Sequence, residues 1–288
     1  MPADLHLHTF FSDGTYSPEE VVRRAKLLKL RAISLTDHDT MEGCVRGAAA
    51  CAEAGIEFIP GAELTAEYDD HELHLLGYYL DAGHARLRTE MAKFQQVRQD
   101  RIREMVARIN QLGIPLEVAE VFKLASCHSP GRPHVARALV EGEFCTHLDE
   151  AFERFLRKGK PAWVPKFKMS ALEAIQLIHD AGGLAVLAHP GINKSDEFIP
   201  ALVEAGLDGI ECFHTKHSTS LSQRYLLAAE KHGLLVTGGS DCHGDSKGKP
   251  LIGTVRVPYA CVERMRAKIF ARAANAGVML AGKSPSAA

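Results

Sequence analysis

The sequence predicts an α/β barrel of the TIM type, distorted or incomplete, and three observations lead there. Short apolar segments alternate with helical patterns and are separated by short glycine turns, which gives a mostly parallel sheet covered by helices. Right-handed crossovers then leave either a closed barrel or an open doubly wound sheet. Finally, His, Asp and Glu side chains stand at the ends of at least five predicted strands. Only a closed barrel brings the carboxyl ends of so many strands to one point.

The first strand carries Asp4-Leu5-His6-Leu7-His8, with Asp13 following. Side chains alternate faces along a strand, so His6 and His8 share one face and Leu5 and Leu7 point into a core. Ser17-Pro18-Glu19-Glu20 reads as a capping box with proline at the first helical position, followed by Val21, Val22, Ala25 and Leu28 at helical spacing. A second strand at 32–35 runs into Thr36-Asp37-His38-Asp39. An alanine-rich helix at 41–54 stops at Gly55, and the next strand, 56–63, ends on Glu63. Segments 64–68 and 73–80 form a hairpin around a polar turn at 69–72, with His74 on the return strand.

From 85 to 168 the alternation stops, and helical patterns rich in Arg and Glu describe an inserted lobe that would cap the substrate. The pattern resumes over 172–181, glycines 182 and 183, and the strand 184–188 that leads into His189-Pro190. Strands at 208–213 and 234–238 follow, the latter running into Gly239-Ser240-Asp241-Cys242-His243. About seven strands result. The barrel is thus discontinuous, residues 1–84 and 169–282, and 283–288 form a small flexible tail.

The chain has 288 residues and a net charge of −2, with both signs interspersed. No global basic field draws it to nucleic acid or membranes. Its seven cysteines are scattered without a Cys-x-x-Cys pair, and no apolar run reaches spanning length, so a soluble protein in a reduced cytoplasm is expected. Because the sequence opens directly on the ligand-bearing strand, no signal peptide is expected.

A lone histidine is ordinarily a surface or hydrogen-bonded residue. The recurrence of His-x-His, Asp-His and Asp-x-His at strand ends is another matter, because these nitrogen and oxygen ligands suit Mn, Fe or Zn. Other signals read more blandly. Arg98, Arg101, Arg103 and Arg108 alternate with acids as on a solvated helix face. Phe152, Phe155 and Trp163 could stack a base, yet aromatics at helical spacing usually belong to a core. His71, His84, His128, His147, His179 and His232 lack partnered spacing.

On the ordered set His6-Leu7-His8, Asp13, Asp37-His38, Glu63, His74, His189 and Asp241-Cys242-His243, the chain resembles the PHP (polymerase and histidinol phosphatase) family. The resemblance implies a distorted seven-stranded barrel with two or three divalent ions, commonly Mn, Fe or Zn, hydrolysing a phosphate ester. By matching motif, His6, His8, Glu63 and Asp241 would hold one ion. Glu63 would bridge to a second held by His74 and His189, and Asp13, His38 and His243 would hold a third. Asp37 would orient an imidazole or act on the attacking water.

Within the family, Ser129-Pro130-Gly131-Arg132-Pro133-His134 resembles the branch acting on nucleotides, including nucleoside 3′,5′-bisphosphate phosphatases and enzymes that trim RNA 5′ ends. A helix start at Pro133, the Arg132 fork and His134 suit a phosphate, with Lys216 and His217 as further contacts on the rim. The expected reaction is attack on a nucleotide phosphomonoester by a metal-bridging hydroxide, available near neutral pH. Alternatives are a 5′-3′ exoribonuclease on short RNA, a histidinol-phosphatase-like enzyme and a non-catalytic metal-binding module. A small nucleotide or short oligonucleotide is the expected partner, without a stable nucleic-acid complex.

Overall fold

Strand β1 (Pro2–Leu7) opens the computed structural model, which describes residues 2–165, 169–247 and 249–281. Helix α1 (Pro18–Leu27) starts as its sequence requires: Ser17 Oγ accepts from the Glu20 amide at 3.1 Å, Pro18 fills the first turn, and Val21, Val22 and Ala25 are buried. Next come β2 (Ala32–Leu35), α2 (Glu42–Ala54), β3 (Glu57–Tyr68) and β4 (His71–Tyr78). Gly55 ends α2 at φ 71°, a left-handed cap that side chains resist.

Helices α3 (Ala85–Gln111), α4 (Val118–Ala125), α5 (Arg132–Glu141) and α6 (Leu148–Ala151) and a π-helical turn at Phe152–Leu156 follow β4. The chain then forms β5 (Met169–Ser170), α7 (Ala171–Asp180), β6 (Leu184–Leu187), α8 (Pro190–Asn193) and α9 (Ile199–Glu204). Last come β7 (Gly209–His214), α10 (Thr219–His232), β8 (Leu235–Gly239), β9 (Val257–Pro258) and α11 (Tyr259–Ala281). The tail expected over 283–288 lies outside the described residues, as do 166–168 at the expected end of the insertion.

The strands run in the order β8-β7-β6-β4-β3-β2-β1-β9, and β5 pairs with β3. The ring nearly closes where the segment after β8 meets β1: the Asp241 amide donates to His6 O at 2.9 Å and the His8 amide to Cys242 O at 3.0 Å. Gly239 permits this approach, since a Cβ there would stand 2.3 Å from the Cβ of His6. Strand β9 pairs antiparallel with the start of β1 only. The result is a nearly closed α/β barrel with a mixed sheet.

Two local expectations need correction. Strand β3 does not stop at Glu63 but continues to Tyr68, so Glu63 stands within a strand, level with the rim. The hairpin turn is Asp69-Asp70 alone, both at positive φ (49° and 60°), as a tight two-residue hairpin demands. Consequently β4 is antiparallel to both β3 and β6 and interrupts the parallel order.

Alternation along β1 turns His6 inward and sends Leu5 and Leu7 into the layer beneath the helices. Leu7 packs with Val21, Val22 and Ala25 of α1 and Cys51 of α2, while Leu5 shares a cluster with Val262 and Met265 of α11. Full burial of each such side chain contributes about 1.5–3 kcal/mol. The inserted helices have a core of their own, in which Ile102, Met105 and Ile109 of α3 meet Val121, Leu139, Phe155 and Leu156. The first turns of α3 instead pack Leu87, Met91 and Phe94 on the barrel. Arg98 and Arg101 lie where α3 passes from one core to the other.

Candidate metal centre

His6 is fully buried, and its Nδ1 lies 3.0 Å from Glu211 Oε1, so that nitrogen donates and Nε2 faces inward. There it meets His8 Nε2 at 3.1 Å. Asp241 Oδ1 stands 3.6 Å from His6 Nε2 and 3.2 Å from His8 Nε2. Across the barrel, Glu63 turns both oxygens on imidazoles. Oε1 is 2.7 Å from His74 Nδ1 and 2.8 Å from His189 Nε2, and Oε2 is 3.0, 3.3 and 3.4 Å from His38 Nδ1, His8 Nε2 and His6 Nε2. His74 reaches Glu63 because Thr65 pairs with His74 and Glu63 with Leu76, making the two a diagonal pair on one face. On the far side, Asp13 Oδ1 lies 3.2 Å from His243 Nε2 and 4.0 Å from His38 Nε2.

Two of these residues hold strained backbone. His189, immediately before Pro190, sits at φ 26°, and Asp241 at φ 52°. Such conformations cost of order 1–3 kcal/mol each and persist where the surroundings over-determine them.

The donor set fits divalent cations. His8 Nδ1, Asp13 Oδ1, His38 Nδ1, Glu63 Oε2 and His189 Nδ1 are shielded from solvent and make no hydrogen bond in the described structure. Buried polar atoms left this way cost roughly 1–3 kcal/mol each. Four groups each place one ligand atom per residue within 4.8 Å of the others: His6/His8/Asp241, His6/Glu63/His189, His38/Glu63/His74 and His8/Asp13/His38/His243. All nine residues expected as ligands are thus brought together, with His6, His8, His38 and Glu63 shared between groups. Burial opposes charge throughout, yet the carboxylates Asp241 and Glu63 push His8 up to about 9. Neighbouring imidazoles in turn hold Asp13, Glu63 and Asp241 well below the usual carboxylate range despite burial.

Two members of the site escaped the sequence reading. Glu211 on β7 is fully buried and braces two of the imidazoles: Oε1 faces His6 Nδ1, and Oε2 accepts the His189 amide at 2.8 Å. Its signal was a carboxylate inside the apolar strand Ile210-Glu211-Cys212, where a charge without a partner is costly. His214 accepts the Lys216 amide on Nδ1 at 3.0 Å, which turns Nε2 toward Asp241 Oδ2 at 3.4 Å.

Asp37 does not reach the cluster's interior. Its oxygens accept from the Thr9 amide at 2.7 Å, Thr9 Oγ1 at 2.6 Å and Ser12 Oγ at 2.6 Å, so it ties down the loop leading to Asp13. Three such acceptances leave little of the carboxylate for the catalytic task expected of it. Ser129 Oγ donates to His38 O at 2.5 Å, and His134 Nδ1 accepts the Gly131 amide at 3.0 Å, so both brace the backbone. Burial drives His134 down to about 4, which keeps that imidazole neutral. His217 lies behind the rim with Nδ1 3.1 Å from Cys212 O. Of the residues expected to touch substrate, Arg132 and Lys216 line the cleft above the cluster, and Ser129, His134 and His217 do not.

That cleft measures about 410 Å³, within the range of small-molecule sites. Asp13, His38, Glu63, His74, His189, Asp241 and His243 form its ionic floor. Arg98, Arg101 and Arg132 line it as well, which corrects the reading of Arg98 and Arg101 as solvent-facing. Arg98 pairs with Asp39 through Nε at 2.7 Å and Nη2 at 2.6 Å. Arg101 donates to Val164 O at 2.9 Å; burial, then the nearby Arg132 and Arg98, push it down to about 9. No ion pair with a carboxylate neutralises Arg101 or Arg132 among the described residues. Two desolvated guanidinium groups opposite a cation-binding floor make a place for an anion with several oxygens.

Fold and site together define a metal-dependent phosphoesterase built on an α/β barrel. The PHP domain model matches residues 4–97. Over 269 residues the chain is 34% identical to the 3′,5′-nucleoside bisphosphate phosphatase of Chromobacterium violaceum, covering 90% of this chain and 93% of that one. It is 32% identical over 247 residues to a 5′-3′ exoribonuclease of Salmonella typhimurium, covering 83% and 84%. A crystal structure from Bifidobacterium adolescentis, described as a metal-dependent phosphoesterase, superposes with a TM-score of 0.85 at 32% identity over 92% of this chain and 96% of that one. The chain belongs to the PHP family of phosphoesterases.

Proposed function

We propose that this protein hydrolyses a nucleotide phosphomonoester, the 3′-phosphate of nucleoside 3′,5′-bisphosphates, using two or three divalent cations with manganese preferred. The carrying observation is the cleft in which a floor of converging imidazoles and carboxylates faces the Arg101 and Arg132 guanidinium groups, which form no carboxylate ion pair among the described residues. In this reading His6, His8, Glu63 and Asp241 would hold one cation, and Glu63, His74 and His189 a second. Asp13, His38 and His243 would hold a third. Bound cations would supply Lewis acidity toward phosphate oxygens and a water acidic enough to ionise near neutral pH.

The chain's own residues do the rest. Glu211 and His214 keep His6, His189 and Asp241 aimed at the cleft. Arg101 and Arg132 bind the non-reacting phosphate, so that binding energy remote from the reacting bond positions it. Lys216 offers a further cation at the rim. The inserted segment 85–168, which supplies all three arginines, acts as the substrate-capping lobe. The similarity to the Chromobacterium phosphatase supports the choice of substrate.

A second reading, stepwise release of nucleotides from 5′-phosphorylated RNA, is favoured by the similarity to the Salmonella exoribonuclease and uses the same site. Among the described residues no helix is long and apolar enough to cross a membrane, and a cytoplasmic enzyme is the setting we propose. The manganese-loaded protein should be offered bisphosphonucleotides, mononucleotides and short 5′-phosphorylated RNAs, with every product identified. Orthophosphate from a 3′,5′-bisphosphate carries the first reading, and nucleoside monophosphates from RNA alone would replace it with the second. Turnover of neither class would refute both.

A further inference from the structure

We infer that Phe152 and Ile192 form a slot for the nucleobase of the substrate, which selects nucleotides over bare sugar phosphates by stacking rather than by base identity. This rests on the phosphoesterase reading and deepens it. Both residues line a cleft whose other lining residues are mostly ionisable, Gly131, Pro133 and Asn193 excepted. Ile192 is 46% exposed, a large apolar side chain lining a cleft rich in charged groups. It lies on α8, three residues beyond His189, so the element that presents the imidazole also presents the apolar wall.

Phe152 comes from the other side, as the first residue of the π-helical turn. Such turns are rare and concentrate at functional sites, because the extra residue re-aims the side chains around it. Here the turn buries Phe155 in the lobe's core and leaves Phe152 half-buried at the cleft. Of the three aromatics expected in a core, Phe155 lies in it, Phe152 packs against it while also lining the cleft, and Trp163 is half-buried outside it. The guanidinium carbon of Arg132 sits 6.0 Å from the centre of the Phe152 ring, and Arg132 Nη1 donates to Leu156 O at the turn's end at 3.5 Å. A phosphate held by Arg132 thus has a flat aromatic surface beside it, the pairing of surfaces that a nucleotide presents. Asn193, next to Ile192, also lines the cleft, with its side-chain amide nitrogen shielded from solvent.

The test compares kcat/KM for adenosine 3′,5′-bisphosphate and for the abasic ribose bisphosphate that lacks the base, in the manganese-loaded full chain. Base–aromatic stacking predicts that the wild type prefers the nucleotide by about tenfold or more, with little difference among the four bases. Phe152→Ala and Ile192→Ser should each bring that ratio down toward one. Because Phe152 also packs on the lobe, Ile192→Ser at an exposed position carries the test if Phe152→Ala fails to fold. A wild type that turns over the abasic substrate as well as the nucleotide, or variants that lose activity equally on both, would overturn the slot while leaving the phosphoesterase reading standing. Turnover of neither substrate by the wild type would overturn that reading and the slot together.

Discussion

Glu211→Gln isolates the support beneath the metal centre. Two donors face the carboxylate, the His189 amide at 2.8 Å and the Nδ1–H of His6 at 3.0 Å. A glutamine offers one oxygen and one NH2 group, so whichever way it turns, a buried donor faces another donor. That mismatch costs roughly 1–3 kcal/mol. Loss of the negative charge behind His6 acts in the same direction by weakening the imidazole as a ligand. Losing such a carboxylate partner ordinarily lowers metal affinity 10- to 100-fold, about 1.4–2.7 kcal/mol. The expected result is a manganese dissociation constant raised by that factor, with kcat at saturating manganese falling less. Titration of chelator-stripped protein, followed by the electron paramagnetic resonance of free Mn2+, measures the first quantity, and circular dichroism checks the fold. Wild-type manganese affinity in a folded Glu211→Gln would refute the reasoning.

Arg132→Ala should lower kcat/KM for a 3′,5′-bisphosphonucleotide about 10- to 100-fold, the value of a charged contact, and spare a simple aryl phosphate; equal losses on both would count against the two-phosphate arrangement. Asp37→Asn should keep kcat within about tenfold at saturating manganese, whereas Asp37→Ala, which strips the acceptor from three buried donors, should lower unfolding free energy by about 3 kcal/mol. A kcat loss of 10²–10⁴ in Asp37→Asn would return Asp37 to an acid–base role. Asp208, 2% exposed at the opposite end of the barrel, is pulled down to about 2 against the pull of burial by His179, the Ala185 amide, Arg272 and Lys268. A depressed carboxylate stabilises the fold above its unfolded value near 3.8 and loses that contribution as pH falls toward 2, here about 2 kcal/mol. Urea melts should therefore show Asp208→Asn less stable than wild type by about that amount at pH 7, with the gap narrowing below pH 4; a gap independent of pH would contradict the assignment.

The parts of the fold legible in the sequence were those governed by local rules. The period of two in β1 placed His6 and His8 together, and the cap at Ser17 and the stop at Gly55 fixed α1 and α2. Nine ligand candidates could be named because each stands close to a strand's rim end. What stayed hidden depended on tertiary contact. The antiparallel course of β4 follows from a two-residue turn whose left-handed aspartates have no obligatory sequence signature. Arg98 and Arg101 looked like solvated helix charges, although they share the stripe of Phe94, Ile102 and Met105, and only the packing of the lobe decides which way that stripe faces. Glu211 was visible as a charge in an apolar strand, but its partners lie in β1 and after β6. Of the helix-start motif, Gly131, Arg132 and Pro133 line the cleft, whereas Ser129 and His134 are engaged by the backbone itself.

Diffraction at the manganese absorption edge from crystals grown with Mn2+ bears most directly on the central claim, that side chains from most of the barrel's strands cage divalent cations at one mouth of the fold. The account predicts anomalous peaks bounded by His6, His8, Asp13, His38, Glu63, His74, His189, Asp241 and His243. Manganese absent from that cluster, or bound only elsewhere on the surface, would contradict it.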